Sequence, residues 1–330
     1  MKRAAAFALA LCACGGDDGD APAVDAAGLD AATCGTATPW ATAPDVPLGS
    51  VQETAAVAVG DKLYVLGGFN GALGVLDSVA VFDPATCAWS SGPALPRPLH
   101  HINAAVVDDT IYIVGALEGL DFRATGDAWA WRPGVDATWS ARAAMPAGTQ
   151  RGSAVTAALG GAIYVAGGLR SGAVAELSRY TPATDQWDAL APLPAPRDHA
   201  CGGAIGGALV VAGGRQASIG STSPAVYAFT PGGGWIERAP MPTGRGGTAC
   251  GVIGDELVVV GGEGNPALPS GVFAEAEAYD HVANTWRALA PMPTPRHGMG
   301  AAVIGGRLYI PGGATQDGFG AVATHEVLTP

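Results

Sequence analysis

The chain is short of charge and short of the signatures by which enzymes are recognised. Only 14% of its 330 residues are charged, and 17 basic residues face 29 acidic ones, a formal net charge of −12. Phosphate recognition rests on clustered Lys and Arg, so this deficit argues against a nucleic-acid partner. No Gly-Xaa-Ser-Xaa-Gly elbow, P-loop or paired-cysteine motif occurs, which leaves the major nucleophile and nucleotide classes without support. The one uncharged stretch of membrane-spanning length, Gly152 to Leu169, is split by Gly160-Gly161 into two short apolar runs, the pattern of a β-hairpin. No cysteine spacing matches a zinc site, and neither a metal nor a cofactor is expected.

What is abundant is glycine, with 50 residues. That excess favours one large repetitive β domain over two ordinary ones. The N-terminus reads as an export signal: two basic residues, an apolar run from Ala4 to Leu11, then cysteine and a Gly/Asp/Ala stretch. Leu11-Cys12-Ala13-Cys14 resembles the bacterial lipoprotein box, in which a small residue precedes the acylated cysteine. Cys14 fits that role better than Cys12, which follows Leu11 directly. The expected organisation is a signal peptide over 1–13, a flexible tether over 14–36 poor in aromatics, and a folded region over 37–330. The expected location is the bacterial outer membrane or periplasm, as a lipid-anchored monomer.

Export makes disulfides permissible. Cys34 and Cys87 both lie shortly before a recurring tryptophan, and either a bond or two buried thiols is compatible with that placement. Cys201 lies four residues after Arg197 and Cys250 five after Arg245, so strand alternation aims them differently and no bond between them is expected.

The organising pattern is a repeat of about fifty residues. Trp40, Trp89, Trp139, Trp187, Trp235 and Trp286 mark it, and the seventh residue after each is proline: Pro47, Pro96, Pro146, Pro194, Pro242 and Pro293. Each period holds a small-residue strand, a tight turn, an apolar strand ending in glycine, a variable loop, and a strand leading to tryptophan. The turns, such as Asp108-Asp109 and Gly160-Gly161, use residues that tolerate positive φ in hairpins. Four short antiparallel strands per period make one propeller blade. The last copy stops at "HEVLTP" without its tryptophan, whereas Trp40 has no strands before it. The N-terminal segment is therefore expected to supply the outer strand of the sixth blade and remove its open edge.

These marks resemble the kelch family, whose repeat carries paired glycines after the second strand and then an aromatic and a tryptophan. The pairs are Gly67-Gly68, Gly167-Gly168, Gly213-Gly214, Gly261-Gly262 and Gly312-Gly313. The second copy departs, with Gly115-Ala116 and a displaced "WAWRPGVDATW", so irregular outer strands are expected there. The resemblance implies an all-β, six-bladed kelch β-propeller over residues 40 to 330.

Arg151, Arg197, Arg245 and Arg296 each stand nine residues before the first turn residue of their repeat, and so open the innermost strands at one mouth of the channel. Kelch proteins that capture acidic peptides line this position with arginine. The resemblance therefore implies a ligand-binding ring of these four, with His100 and His297 one position further on. Glu53, His101 and His199 follow. A cluster of His, Arg and acid at a channel mouth can hold a metal or move protons, but residues opening strands also tie down loops, and the structural role is the expected one. Tyr64, Tyr112, Tyr164, Tyr180, Tyr227, Tyr279 and Tyr309 all fall at repeated strand positions, leaving none for a copper oxidase. The expected function is non-catalytic binding of a peptide, protein or acidic glycan at this mouth. The alternative, from exported kelch proteins acting on acidic sugars, is an epimerase or mutarotase using Arg197 with His297 or Glu53.

The N-terminal reading is tested by export of the full chain. Wild type is expected in the membrane fraction with acyl label, and Cys14→Ser soluble and unlabelled, since two acyl chains suffice for stable attachment. A soluble, unlabelled wild type overturns it.

Overall fold

A computed structural model describes Cys34 and residues 37–330. The expected signal peptide, Cys12, the lipidation candidate Cys14 and all of the expected tether but Cys34 lie outside the described residues. Among those described there is no helix, and the strands form six four-stranded antiparallel sheets arranged as the blades of a propeller, with one further two-stranded ladder between Val51–Gln52 and Phe69–Asn70. Blade 1 comprises Ala55–Val59, Lys62–Leu66, Val79–Asp83 and Ala88–Ser91, each strand paired to the next. The innermost strands of blades 2 to 5 are Ala104–Val107, Val155–Leu159, Cys201–Ile205 and Ala249–Ile253.

Small residues on the inner strands let six blades converge, and the apolar second and third strands fill the space between neighbours. Leu63, Val65 and Phe82 of blade 1, for example, pack with Tyr309 and Val327 of blade 6. Blade 2 is irregular, as its sequence implied. Its middle strands, Thr110–Glu118 and Arg123–Trp131, are nine residues long, their register shifts between Thr125 and Ala128, and its outer strand is only Ser140–Arg142.

The ring closes as expected. Ala302–Ile304, Arg307–Pro311 and His325–Leu328 are completed by Trp40–Ala43, with Trp40 opposite Leu328 and Ala43 opposite His325. The repeated tryptophans share a hydrogen bond that explains their spacing. Each indole N–H donates to a carbonyl four residues after the preceding tryptophan: Trp89 to Pro44 at 2.9 Å, Trp187 to Ala143 at 2.8 Å, Trp235 to Ala191 at 2.8 Å and Trp286 to Ala239 at 2.9 Å. Trp139 reaches Pro93 at 3.2 Å, and Trp40 closes the circuit on Ala290 at 2.9 Å.

Both cysteine pairs are bonded. Cys34 joins Cys87, with Cα atoms 5.7 Å apart, and Cys201 joins Cys250, at 6.1 Å. The second bond corrects the expectation from strand alternation. Opposite faces of a strand look toward opposite neighbours, so residues of opposite parity on adjacent blades face each other. Cys201 and Cys250 meet between blades 4 and 5, where Gly203 also faces Val252.

Trp40 is half-buried against the blade 5–blade 6 core. Trp40→Ala is expected to cost about 2 to 4 kcal/mol in denaturant unfolding, from lost burial and one lost hydrogen bond. Unchanged stability would contradict closure by this strand.

Candidate functional site

The channel mouth is built on a second circuit, this time of backbone. The amide of Glu53 donates to the carbonyl of Gly298, His101 to Glu53, Ser153 to His101, His199 to Ser153, Gly247 to His199 and Gly298 to Gly247, at 2.6 to 3.1 Å. Each residue stands two positions after the repeated Arg position of its blade. All six are in the left-handed region, with φ between 50° and 64°. Glycine meets that requirement without strain, as Gly247 and Gly298 show, whereas a non-glycine residue there carries a conformational cost. Three of the positions bear chemistry instead: Glu53, His101 and His199.

The four arginines do not form the expected ring of ligand-facing cations. Their side chains are among the largest fully buried ones, and their guanidiniums bond within their own blades, although Nε of Arg197 and of Arg296 has no partner. Arg151 donates from Nε to Gly167 at 2.7 Å and from an Nη to Val165 at 2.8 Å; Arg245 donates from Nε to Gly261 at 2.7 Å; Arg197 donates to Gly213 at 2.9 Å. The second residue of the third strand faces each guanidinium: Ser178 for Arg151, the Tyr227 ring for Arg197, Glu277 for Arg245 and Glu326 for Arg296. Burial lowers the pKa of all four, that of Arg151 to about 10. They are struts that hold the glycine pair against the strand opening. The close approach also explains the pair: a Cβ at Gly167, with φ of 64°, would stand 2.5 Å from the carbonyl of Arg197 in the next blade. Without Arg197 as a free cation, the acidic-sugar reading loses the clamp it required.

His100 and His297 are at the mouth but buried. His100 Nε2 lies 2.9 Å from the carbonyl of Gly119, and its Nδ1 lies 2.6 Å from His101 Nδ1. Burial holds His100 neutral, with a pKa near 4, and pushes His101 well below its ordinary value. His297 Nε2 meets the carbonyl of Gln316 at 2.9 Å, while its buried Nδ1, without a hydrogen-bond partner, faces Glu263 at 3.3 Å and Glu53 at 3.6 Å. His199 Nδ1 is 2.6 Å from Asp198 Oδ1. Burial raises the Asp198 pKa, but His199 and Arg215 outweigh it and the net shift is downward.

Arg215 was not anticipated. It ties Asp198 to Glu263 through contacts of 2.9 and 2.5 Å. Its position, immediately after Gly213-Gly214, was the available signal: the residue after each glycine pair bridges back to the residue after the Arg position, as Arg215 does to Asp198, Glu263 to Gly246 and Ala314 to His297. Phe122, Ile219 and Phe319 wall the resulting cavity of about 180 Å³, floored by Glu53, His101, His199 and His297.

A six-bladed propeller with paired glycines on its second strands and its polar site at the loop-bearing mouth defines the class. The family described as "KLHDC2/KLHL20/DRC7 Kelch-repeats domain" matches residues 3–214, and "Kelch motif" matches 244–293. The chain belongs to the kelch-repeat family. It is 36% identical to "Kelch-like protein terF" of Aspergillus terreus over 88% of this chain and 66% of that protein. It is 37% identical to "Kelch-like protein 34" of Homo sapiens over 42% of this chain and 22% of that protein. The chain thus spans less than two thirds of the length of these relatives. The solved structure "Structure of YjhT" superposes with a TM-score of 0.74 at 18% identity, covering 86% of this chain and 96% of that one, and shares the fold.

Arg245→Met is expected to destabilise the protein by about 3 to 5 kcal/mol, because it leaves Glu277 buried and unpaired, and Arg245→Met with Glu277→Leu to recover most of that loss. Chemical denaturation reads both. An Arg245→Met protein of unchanged stability that has lost a ligand would restore the ligand-binding role.

Proposed function

We propose that this protein is a non-catalytic binding propeller of the cell envelope, acting as a monomer, that docks a protein partner on its loop-bearing mouth. The carrying observation is where exposed apolar surface lies. Of the seven large hydrophobic side chains exposed among the described residues, Leu73, Leu120, Leu268 and Phe319 all stand on loops between second and third strands. Those loops ring one mouth, so the exposed apolar side chains gather where a partner can cover them. Protein binding is also the general behaviour of the family, and the net charge of −12 favours a partner whose contacting rim is basic.

An acidic ligand is less well served. The guanidiniums expected to receive it are buried in the blades, and Arg215 is already held between two carboxylates. Export is supported by the two disulfides, which suit an oxidising compartment. The lipid anchor at Cys14 belongs to the same proposal.

An array carrying both basic-apolar peptides and acidic glycans tests the reading. Peptide binding is expected, weakened at least about tenfold by Phe319→Asp and by Leu268→Asp with the melting temperature unchanged. Val282→Asp, between the third and outer strands of blade 5, is expected to have no effect. Binding of glycans alone, or equal losses from all three substitutions, would overturn it.

A further inference from the structure

The proton inventory of the mouth does not close. Gly119 offers His100 Nε2 only a carbonyl, so the proton of His100 sits on Nε2 and its Nδ1 is an acceptor. His101 Nδ1, at 2.6 Å, must then donate to it, which leaves His101 Nε2 as a bare lone pair. On the other side, Asp198 fixes the proton of His199 on Nδ1 and leaves its Nε2 bare as well. These two lone pairs face each other at 2.9 Å, and Glu53 Oε2 stands 3.1 Å from His101 Nε2. Three acceptors converge and none holds a hydrogen to share. Arg215 resolves the conflict only in part: its Nη2 lies 2.6 Å from His199 Nδ1 and 3.0 Å from Nε2 and can donate to that ring, but the contact between His101 Nε2 and Glu53 still lacks a hydrogen.

The geometry points to a divalent transition-metal site formed by Glu53 Oε2, His101 Nε2 and His199 Nε2. The three ligand atoms lie within 4.8 Å of one another. A tetrahedral ion about 2.0 to 2.2 Å from each needs them roughly 3.3 Å apart, so His101 Nε2 has to part from His199 and Glu53 by a few tenths of an ångström while Glu53 and His199, at present within 4.8 Å, draw together. The outer partners are of the kind metal sites use: Asp198 orients His199 and His100 orients His101, each fixing the tautomer that aims Nε2 inward. Charge agrees. With neutral imidazoles, Glu53, Asp198 and Glu263 against Arg215 leave an excess of two negative charges, which a divalent ion balances. The unpartnered Nδ1 of His297, 1% exposed and facing Glu53, is a second buried acceptor beside the same carboxylate.

The ligands come from blades 1, 2 and 4 and are joined by no local spacing, which is why no motif announced them. The fourth coordination position opens into the cavity walled by Phe122 and Phe319, where water or a donor group from a ligand would complete the shell. Two histidines, one carboxylate and an open position suit zinc or ferrous iron. The inference does not depend on the docking surface above.

The ring supplies an unusually clean test. Glu53, His101 and His199 occupy left-handed positions that Gly247 and Gly298 fill in other blades, so replacement by glycine removes a ligand while relieving backbone strain. Full-chain protein stripped with a chelator is titrated calorimetrically with Zn²⁺, and with Co²⁺ to read coordination from the visible spectrum. Wild type is expected to bind one zinc per chain and to give a four-coordinate cobalt spectrum. His101→Gly and His199→Gly are each expected to lower zinc affinity at least about 100-fold, with a melting temperature of the metal-free protein equal to or above wild type, while Ser153→Gly leaves zinc affinity unchanged. The same zinc affinity in the His101→Gly/His199→Gly double variant would place the ion elsewhere. No binding by wild type would mean that the cluster holds only a proton. Either result overturns the proposal.

Discussion

The circuit of six backbone hydrogen bonds at the channel mouth sets the geometry of everything above it. Each amide donates one blade back, from Glu53 to Gly298 and on around to Gly247. The circuit closes only if every one of its residues accepts a left-handed φ and the six strand openings stand at a common height. The arginine struts fix those openings from outside the ring, because a guanidinium bonded to the carbonyl beside its own glycine pair sets how far the strand start lies from the second strand. In blade 2, where the pair is Gly115-Ala116, Asn103 donates to the carbonyl of Val114 in its own second strand at 3.2 Å and to that of Arg151 in the next blade at 2.8 Å. Blades 1 and 2 place Val51 and Leu99 at the Arg position, and both are fully buried apolar side chains. The same location can therefore be held by packing or by hydrogen bonds.

This division between frame and site explains what could be read from the sequence. The blade count, the hairpin turns, the closing strand and the irregular second blade were legible because each depends on residues close in the chain and repeated in phase. The same regularity misled at the arginines. A side chain buried at the same place in four blades answers a structural demand of the blade. Specific chemistry is found where blades differ, and the circuit positions read Glu53, His101, Ser153, His199, Gly247 and Gly298. The histidines and Glu53 were visible as a group near the mouth. Their convergence was not, since it depends on how narrow the ring is and on partners such as Asp198 and Arg215 that arrive from different loops.

The cysteine pairing carries a similar lesson about curvature. Alternation along a strand was applied correctly to each blade but not to the relation between blades. In a flat sheet, residues of opposite parity point apart. In a ring of blades standing face to face, they meet, and Cys201 and Cys250 do so across one boundary. Parity counted from a common mark therefore identifies which residues of neighbouring repeats share an interface, a rule that also accounts for Gly251 facing Val303.

The other disulfide changes how the propeller responds to force. The strand Trp40–Ala43 lies at the periphery of blade 6 and is held by a short ladder to His325–Leu328. A pull on the chain ahead of that strand would peel such a ladder one rung at a time. The bond from Cys34 to Cys87 intercepts the load before it arrives and passes it covalently to the turn leading into Ala88–Ser91 of blade 1. Tension is thus spread across the blade 6–blade 1 seam, into the Phe82, Trp89 and His325 contacts, before it can reach the weakest strand. Under reducing conditions that path is lost and the closing strand becomes the mechanical fuse of the ring.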